Sequence, residues 1–346
     1  MNITEALQMT WLLTRLRALN YSKQHRKELP GGVLDPQMKL LTQVLDRQPP
    51  MFGRASIEQV RADFSLNMVL YRKFSGPVVA VPNVWNQTIK TEHGAIPIRC
   101  YMPAGDGPFP IFVYYHGGGW VLGNLDLADN FARSLCHYGN MAVISVSYRL
   151  APEHSFPMGF EDCYAAYLWA ADPQNAVSVR GDVNRLIVGG DSAGGNLAAA
   201  VCLKAREENG PRIAQQVLIY PATNLADLDS PSYEHYNHFS ILSRNAMRWY
   251  IHQYLGDQAN QTNPLASPAL AESHADLPPA VIMTAEFDVL RDDGENYAET
   301  LKAAGVDTLL IRANGLTHGF ISQREMVKRA DVYTKLLMEK VRDRVS

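Results

Sequence analysis

The residues best placed to do chemistry lie in the run Gly190-Asp191-Ser192-Ala193-Gly194-Gly195, directly after the apolar stretch Leu186-Ile187-Val188-Gly189. Small residues flank a serine on both sides, in the pattern G-x-S-x-G, where a strand gives way to a helix. The pattern predicts a turn so sharp that only small side chains fit at Gly190 and Gly194. The Ser192 hydroxyl is then held out at the end of a sheet. A serine in that position points to acyl transfer.

A serine hydroxyl is a poor nucleophile at neutral pH. It needs a base to take its proton and an acid to hold that base. Asp288 closes the stretch Ala280 to Ala285 through Glu286-Phe287-Asp288, and His318 follows Thr308 to Arg312 in Leu316-Thr317-His318-Gly319-Phe320. Taken alone, Asp288 is as well explained as a helix cap, with Asp292 and Asp293 available for the same job. A lone histidine among ten is more often structural. Glu286 is the rival acid, on the same side as Asp288 by strand alternation but further back from the edge. Three such groups in the order Ser, Asp, His, each beyond the carboxyl end of a strand, predict a triad of Ser192, Asp288 and His318.

A second element, His116-Gly117-Gly118-Gly119-Trp120, follows the stretch Ile111 to Tyr115. Attack on an ester builds negative charge on the carbonyl oxygen, and a fixed N–H donor stabilises it by about 3 kcal/mol. Glycines let backbone approach that oxygen unobstructed. The expected donors are the N–H groups of Gly117, Gly118 and Ala193. A phosphate loop is the rival reading, but neither G-x-G-x-x-G nor G-K-[ST] follows.

These groups need a scaffold, and the hydrophobic pattern supplies one. Val84 to Thr91 and Ile96 to Met102 read as two strands around a His93-Gly94 turn. Ile111 to Tyr115, Ala142 to Tyr148, Leu186 to Gly189, Val217 to Tyr220, Ala280 to Ala285 and Thr308 to Arg312 follow as short apolar strands. Helical patterns separate them, clearest at Phe160 to Ala171, Ala193 to Glu208, Asp292 to Ala304 and Glu325 to Arg342. The alternation predicts an α/β fold with a mostly parallel sheet covered on both faces. Residues 1–70 read as amphipathic helices, with Leu12, Leu13, Leu16 and Leu19 at helical spacing, a start at Asp35-Pro36, and a capping box at Ser56-Ile57-Glu58-Gln59 before Val60, Phe64 and Met68. Residues 225–263, with one good helix from Arg244 to Leu255, interrupt the alternation after a strand's carboxyl end. Together with the N-terminal helices they are placed to form a lid over a catalytic domain of residues 71–346.

Composition narrows the partners. A net charge of −3 and a charged fraction of 19% argue against a polyanion-binding surface, so no nucleic acid is expected. Cys100, Cys136, Cys163 and Cys202 are scattered and form no C-x-x-C, which leaves zinc and redox readings unsupported. No apolar run is long enough to span a bilayer, and Glu5 precedes the first apolar stretch. A cytoplasmic protein without stable membrane association is the expectation.

The chain resembles the hormone-sensitive-lipase-like family of α/β-hydrolases, bacterial esterase family IV, from about residue 80 onward. The residues that carry the likeness are His116-Gly117-Gly118-Gly119-Trp120, Tyr148-Arg149-Leu150-Ala151-Pro152-Glu153, Gly190-Asp191-Ser192-Ala193-Gly194-Gly195, Asp288-Val289-Leu290-Arg291-Asp292 and His318-Gly319-Phe320. Gly123-Asn124-Leu125-Asp126 and Ala285-Glu286-Phe287-Asp288 look like its acetyl esterases. The resemblance implies a helical cap, a carboxylesterase on short- to medium-chain acyl esters, no cofactor and no metal, and a homodimer as for many members. It implies Ser192 as nucleophile, His318 as base and Asp288 as orienting acid. Where the family often has proline after the aspartate, this chain has Val289, a departure that loosens the loop without removing a catalytic group. The non-catalytic relatives lack the triad histidine that His318 supplies here. A deacetylase, lactonase or amidase would use the same groups. Trp120, Tyr220, Leu290 and Phe320 are the candidate substrate-binding side chains, with Phe239 and Leu242 as further neighbours.

Overall fold

Strands β1 (Asn83–Thr91), β2 (Gly94–Met102), β3 (Phe109–Tyr115), β4 (Ala142–Val146), β5 (Gly181–Asp191), β6 (Gln215–Ile219), β7 (Ala280–Phe287) and β8 (Thr308–Thr317) form one sheet in the order β1-β2-β4-β3-β5-β6-β7-β8. The computed structural model describes residues 32–45, 56–64, 78–91, 94–238, 241–256, 260–324 and 326–345. β1 and β2 pair antiparallel, and β2 joins β4 antiparallel; all pairs from β4 to β8 are parallel. Every residue of β3 is buried, as a strand covered on both faces requires.

Alternation divides the core into two layers. Val113, Tyr115, Ile144, Leu186, Val188 and Ile282 face one way, against the helices Met158–Ala171 and Ala193–Glu207. Phe112, Tyr114, Val143, Ile187, Val217 and Met283 face the other, against Leu125–Gly139 and Lys328–Val345. The expected alternation and both covered faces are present. The helix Leu125–Gly139 was not among the expected elements. Its start is written in Asn124, whose side chain accepts from the N–H groups of Asp126 and Leu127, both at 3.0 Å.

β5, β7 and β8 run further at their carboxyl ends than their apolar cores suggest, β5 through Asp191. β7 continues through Phe287 and β8 through Thr317, so Asp288 and His318 are the residues immediately beyond them. At the amino end, Asp35 caps Pro36–Leu45 by accepting from Gln37 N at 2.8 Å and Met38 N at 3.2 Å. The Ser56 hydroxyl accepts from Gln59 N at 3.3 Å ahead of a helix at 57–64. Leu12, Leu13, Leu16, Leu19, Met68 and His93 lie outside the described residues. Among the described residues no helix is long and apolar enough to cross a membrane.

The helix Arg291–Ala303 buries a carboxyl with a measurable consequence. Asp293 accepts from Thr223 N at 2.8 Å, Thr223 Oγ1 at 2.7 Å and Asn224 N at 3.3 Å. Burial nevertheless pushes its pKa up to about 7. The folded chain therefore keeps a proton that the unfolded chain releases near pH 4. The contribution to stability is complete below pH 4 and is lost as pH rises through 7. Asp293→Asn keeps one acceptor oxygen for the N–H groups of Thr223 and Asn224, offers an amide N–H to Thr223 Oγ1, and does not titrate. Between pH 5 and pH 8 the stability of the variant relative to wild type is expected to rise by roughly 2–3 kcal/mol. Denaturant melts at the two pH values measure this, and an unchanged gap would refute it.

Candidate active site

Ser192 sits between the last residue of β5 and the first of Ala193–Glu207, with φ 57° and ψ −119°. A non-glycine residue in that region is strained, and surrounding contacts must hold it. Its N–H donates to Ile219 O at 2.8 Å, and Asn196 N donates to its carbonyl at 3.1 Å. The flanking glycines are obligatory. A Cβ at Gly194 would stand 1.9 Å from Tyr115 O, and one at Gly190 would stand 2.3 Å from the same atom. The expected sharp turn is therefore present, for the expected steric reason.

The three candidate catalytic groups meet. His318 Nε2 is 2.9 Å from Ser192 Oγ, and His318 Nδ1 is 2.7 Å from Asp288 Oδ2. A carboxylate only accepts, so Nδ1 carries the hydrogen and Nε2 offers its lone pair to the serine hydroxyl. The second Asp288 oxygen accepts Leu290 N at 3.0 Å. The loop after Asp288 is held from outside as well, because Val289 O accepts the Ser232 hydroxyl at 2.6 Å. Val289 in place of proline thus has a compensating contact. Glu286, the rival acid, is engaged elsewhere. Its carboxylate accepts the N–H groups of Gly32 and Gly315 and fastens the amino-terminal segment to β8.

The glycine loop departs from expectation at one position. Gly117 N donates to Asp191 Oδ1 at 2.9 Å, so this N–H is already committed and cannot also face a substrate oxygen. Among the described residues, no hydrogen bond claims the N–H groups of Gly118, Gly119 and Ala193. Gly118 has φ +121° and Gly119 φ +60°. A Cβ at Gly118 would lie 2.2 Å from Leu122 O, and one at Gly119 would lie 2.1 Å from the ring of Tyr250. His116 is a prop for the loop. Its Nδ1 donates to Gly117 O at 2.8 Å, its ring stacks on Tyr148 at 4.4 Å, and the Tyr148 hydroxyl donates to His116 O at 2.7 Å. Burial pushes the His116 pKa down, which keeps the ring neutral.

The expected substrate-binding side chains hold the site together rather than open onto it. Trp120, Tyr220, Leu290 and Phe320 are each 2% exposed or less. Trp120 stacks on Tyr254 with ring centres 4.6 Å apart and donates Nε1–H to Asn196 Oδ1 at 3.3 Å. Tyr220 lies against the His318 ring at 4.6 Å and against Phe320 at 5.5 Å. Leu242 is likewise buried, and Phe239 lies outside the described residues. Aromatic residues next to a catalytic motif read as a pocket in sequence, whereas here they pack the seams between elements.

Sequence reasoning missed Asn196 and Arg61. Asn196 Nδ2 donates to Ala222 O and Ala266 O, both at 2.8 Å, and so pins the chain on either side of the 225–263 segment. A buried amide on an otherwise apolar helix face was the available signal. Arg61, from the helix at 57–64, donates to Val121 O at 3.2 Å and Ala151 O at 2.9 Å and pairs with both oxygens of Glu153 at 2.6 and 2.7 Å. Nothing local marks that arginine.

Comparison with known proteins identifies the fold and the family. A family model described as the alpha/beta hydrolase fold matches residues 112–322. The carboxylic ester hydrolase LipN of Mycobacterium tuberculosis is 40% identical over 300 residues, covering 85% of this chain and 78% of that protein. The arylesterase of Saccharolobus solfataricus is 35% identical over 310 residues, covering 89% and 99% respectively. Among solved structures, a hyperthermophilic esterase from the archaeon Pyrobaculum calidifontis matches with a TM-score of 0.85 at 35% identity, covering 90% of this chain and 98% of that one.

Proposed function

The chain belongs to the α/β-hydrolase family, in its hormone-sensitive-lipase-like branch of carboxylic ester hydrolases, and from that premise we propose that it is a serine esterase acting on short- to medium-chain acyl esters. The observation that carries the mechanism is the continuous hydrogen-bonded array Ser192 Oγ, His318 Nε2, His318 Nδ1, Asp288 Oδ2.

His318 Nε2 takes the Ser192 proton as Oγ bonds to the ester carbonyl carbon. The carbonyl π electrons move to oxygen, which rests on the N–H groups of Gly118, Gly119 and Ala193. Asp288 stabilises the imidazolium. Collapse breaks the bond to the alcohol oxygen, which leaves with the proton from Nε2. Water then gives a proton to His318 and attacks the acyl-enzyme. The second collapse returns that proton to Ser192 Oγ and releases the carboxylic acid. Residues 225–263 and the amino-terminal segment form the cap in this scheme. It is supported by Tyr250 against Gly119, Tyr254 on Trp120, and the Arg61 clamp.

The test is hydrolysis of p-nitrophenyl esters from acetate to palmitate, together with fluorophosphonate labelling. kcat/KM is expected to peak between acetate and octanoate, and the label to land on Ser192 at one per chain. A peak at palmitate would overturn the chain-length assignment. An active enzyme labelled elsewhere, or not at all, would overturn the nucleophile.

A further inference from the structure

Within the run Gly190 to Gly195, the side chain of Asp191 has no part in the steps above, yet three groups converge on it. Tyr114 Oη donates to Oδ1 at 2.5 Å, Gly117 N donates to Oδ1 at 2.9 Å, and Tyr220 Oη donates to Oδ2 at 3.3 Å. Burial and the Asp191 charge hold both tyrosines well above the ordinary phenol pKa, so they remain donors. One carboxylate thus joins β3, the glycine loop and the turn after β6.

A planar peptide has one orientation, so fixing its carbonyl also fixes the N–H on the next residue. Gly117 O is fixed by His116 Nδ1, which sets the Gly118 N–H. Gly118 O accepts Val121 N at 3.2 Å and Leu122 N at 2.8 Å, which sets the Gly119 N–H. The peptide that enters this pair is held at both ends: its carbonyl, His116 O, accepts the Tyr148 hydroxyl at 2.7 Å, and its N–H, on Gly117, donates to Asp191. We propose that Asp191 is the positioning residue of the oxyanion loop, a role that rests on the serine mechanism above: it holds the Gly117 N–H back so that the N–H groups of Gly118 and Gly119 point at the carbonyl oxygen. Through Tyr220, whose ring lies on His318, the same carboxylate also steadies the base.

The experiment compares Asp191→Ala, Asp191→Asn, Gly117→Ala and the double variant Asp191→Ala/Gly117→Ala. Each kcat is expressed per site titrated by a fluorophosphonate, so loss of folded protein does not count. Asparagine keeps an oxygen for Gly117 N and Tyr114, and its amide can donate to Tyr220, so kcat is expected within about fivefold of wild type. Alanine removes the anchor; kcat is expected to fall about 10²-fold with KM within about threefold. Affinity for a trifluoromethyl ketone, which forms the tetrahedral adduct, is expected to fall in parallel. Gly117→Ala puts a methyl 2.5 Å from Asp191 Oδ2 and 2.9 Å from the backbone oxygen Asp191 O. It is expected to lower kcat strongly in wild type and less in the Asp191→Ala background, where the side-chain contact is already lost and only the clash with Asp191 O remains. An unaltered per-site kcat in Asp191→Ala, or additive effects in the double variant, would overturn the role. If Asp191→Ala does not fold, Gly117→Ala decides: an unchanged kcat refutes the proposal and a lowered one supports it. Wild-type enzyme that is active but unlabelled at Ser192 refutes the serine mechanism instead, and this control is read first.

Discussion

Ser192→Ala is expected to lower kcat for p-nitrophenyl acetate by about 10⁵–10⁶-fold, because the nucleophile is lost while the rest of the site remains. The fold is expected to survive. The Ser192 hydroxyl touches His318 Nε2, and the turn is held by the Ser192 N–H and carbonyl, which alanine keeps. Circular dichroism and melting temperature should match wild type within about 2 °C. Ser192→Gly should be equally inactive but more stable by about 1 kcal/mol, since glycine relieves the strain at φ 57°. Turnover that persists in Ser192→Ala, and that a fluorophosphonate does not remove, would show that another group attacks the ester.

Gly118→Ala is expected to lower kcat by about 10²–10³-fold with KM changed less than about threefold. The added Cβ would fall 2.2 Å from Leu122 O and 2.6 Å from Leu122 C, both backbone atoms, at φ +121°. Neither can yield cheaply, because Leu122 N and Val121 N both bond to Gly118 O. The loop must shift, and the donors at Gly118 and Gly119 shift with it. Fluorophosphonate labelling should slow in proportion, since that adduct also places an oxygen in the hole. Gly94→Ala is the control. It imposes a similar strain at φ +133° with nothing within 4 Å, at the start of β2, three strands from β5 in the sheet, and should leave kcat unchanged. Full activity in Gly118→Ala would remove this loop from the reaction.

The meeting of Ser192, His318 and Asp288 was legible in the sequence because it depends on local facts. A turn that tolerates only small residues, and polar residues just past apolar strands, are written in short stretches of chain. The sheet was legible for the same reason, since short apolar runs such as Ile111 to Tyr115 alternate with helical patterns along the chain. The engagement of the Gly117 N–H was not, because its partner is Asp191, 74 residues away. Trp120 and Tyr220 were misread because proximity to a motif does not tell a pocket wall from a packed seam. Arg61 could not be read at all, as its partners Val121, Ala151 and Glu153 come from two distant loops.

The two contacts of Asn196 bear on how this chain can change over evolutionary time. Two carbonyl oxygens that share one amide nitrogen stand within about 6 Å of each other. Ala222 and Ala266, the residues that bracket the 225–263 segment, are therefore neighbours in space. A segment that leaves and re-enters at neighbouring points can grow, shrink or be exchanged while the sheet keeps its register, and lengthening it costs little closure entropy. Such a protein can acquire new esters by grafting one stretch of chain while Ser192, Asp288 and His318 stay where they are. The pivot of that exchange is a single asparagine, one turn of helix past the serine.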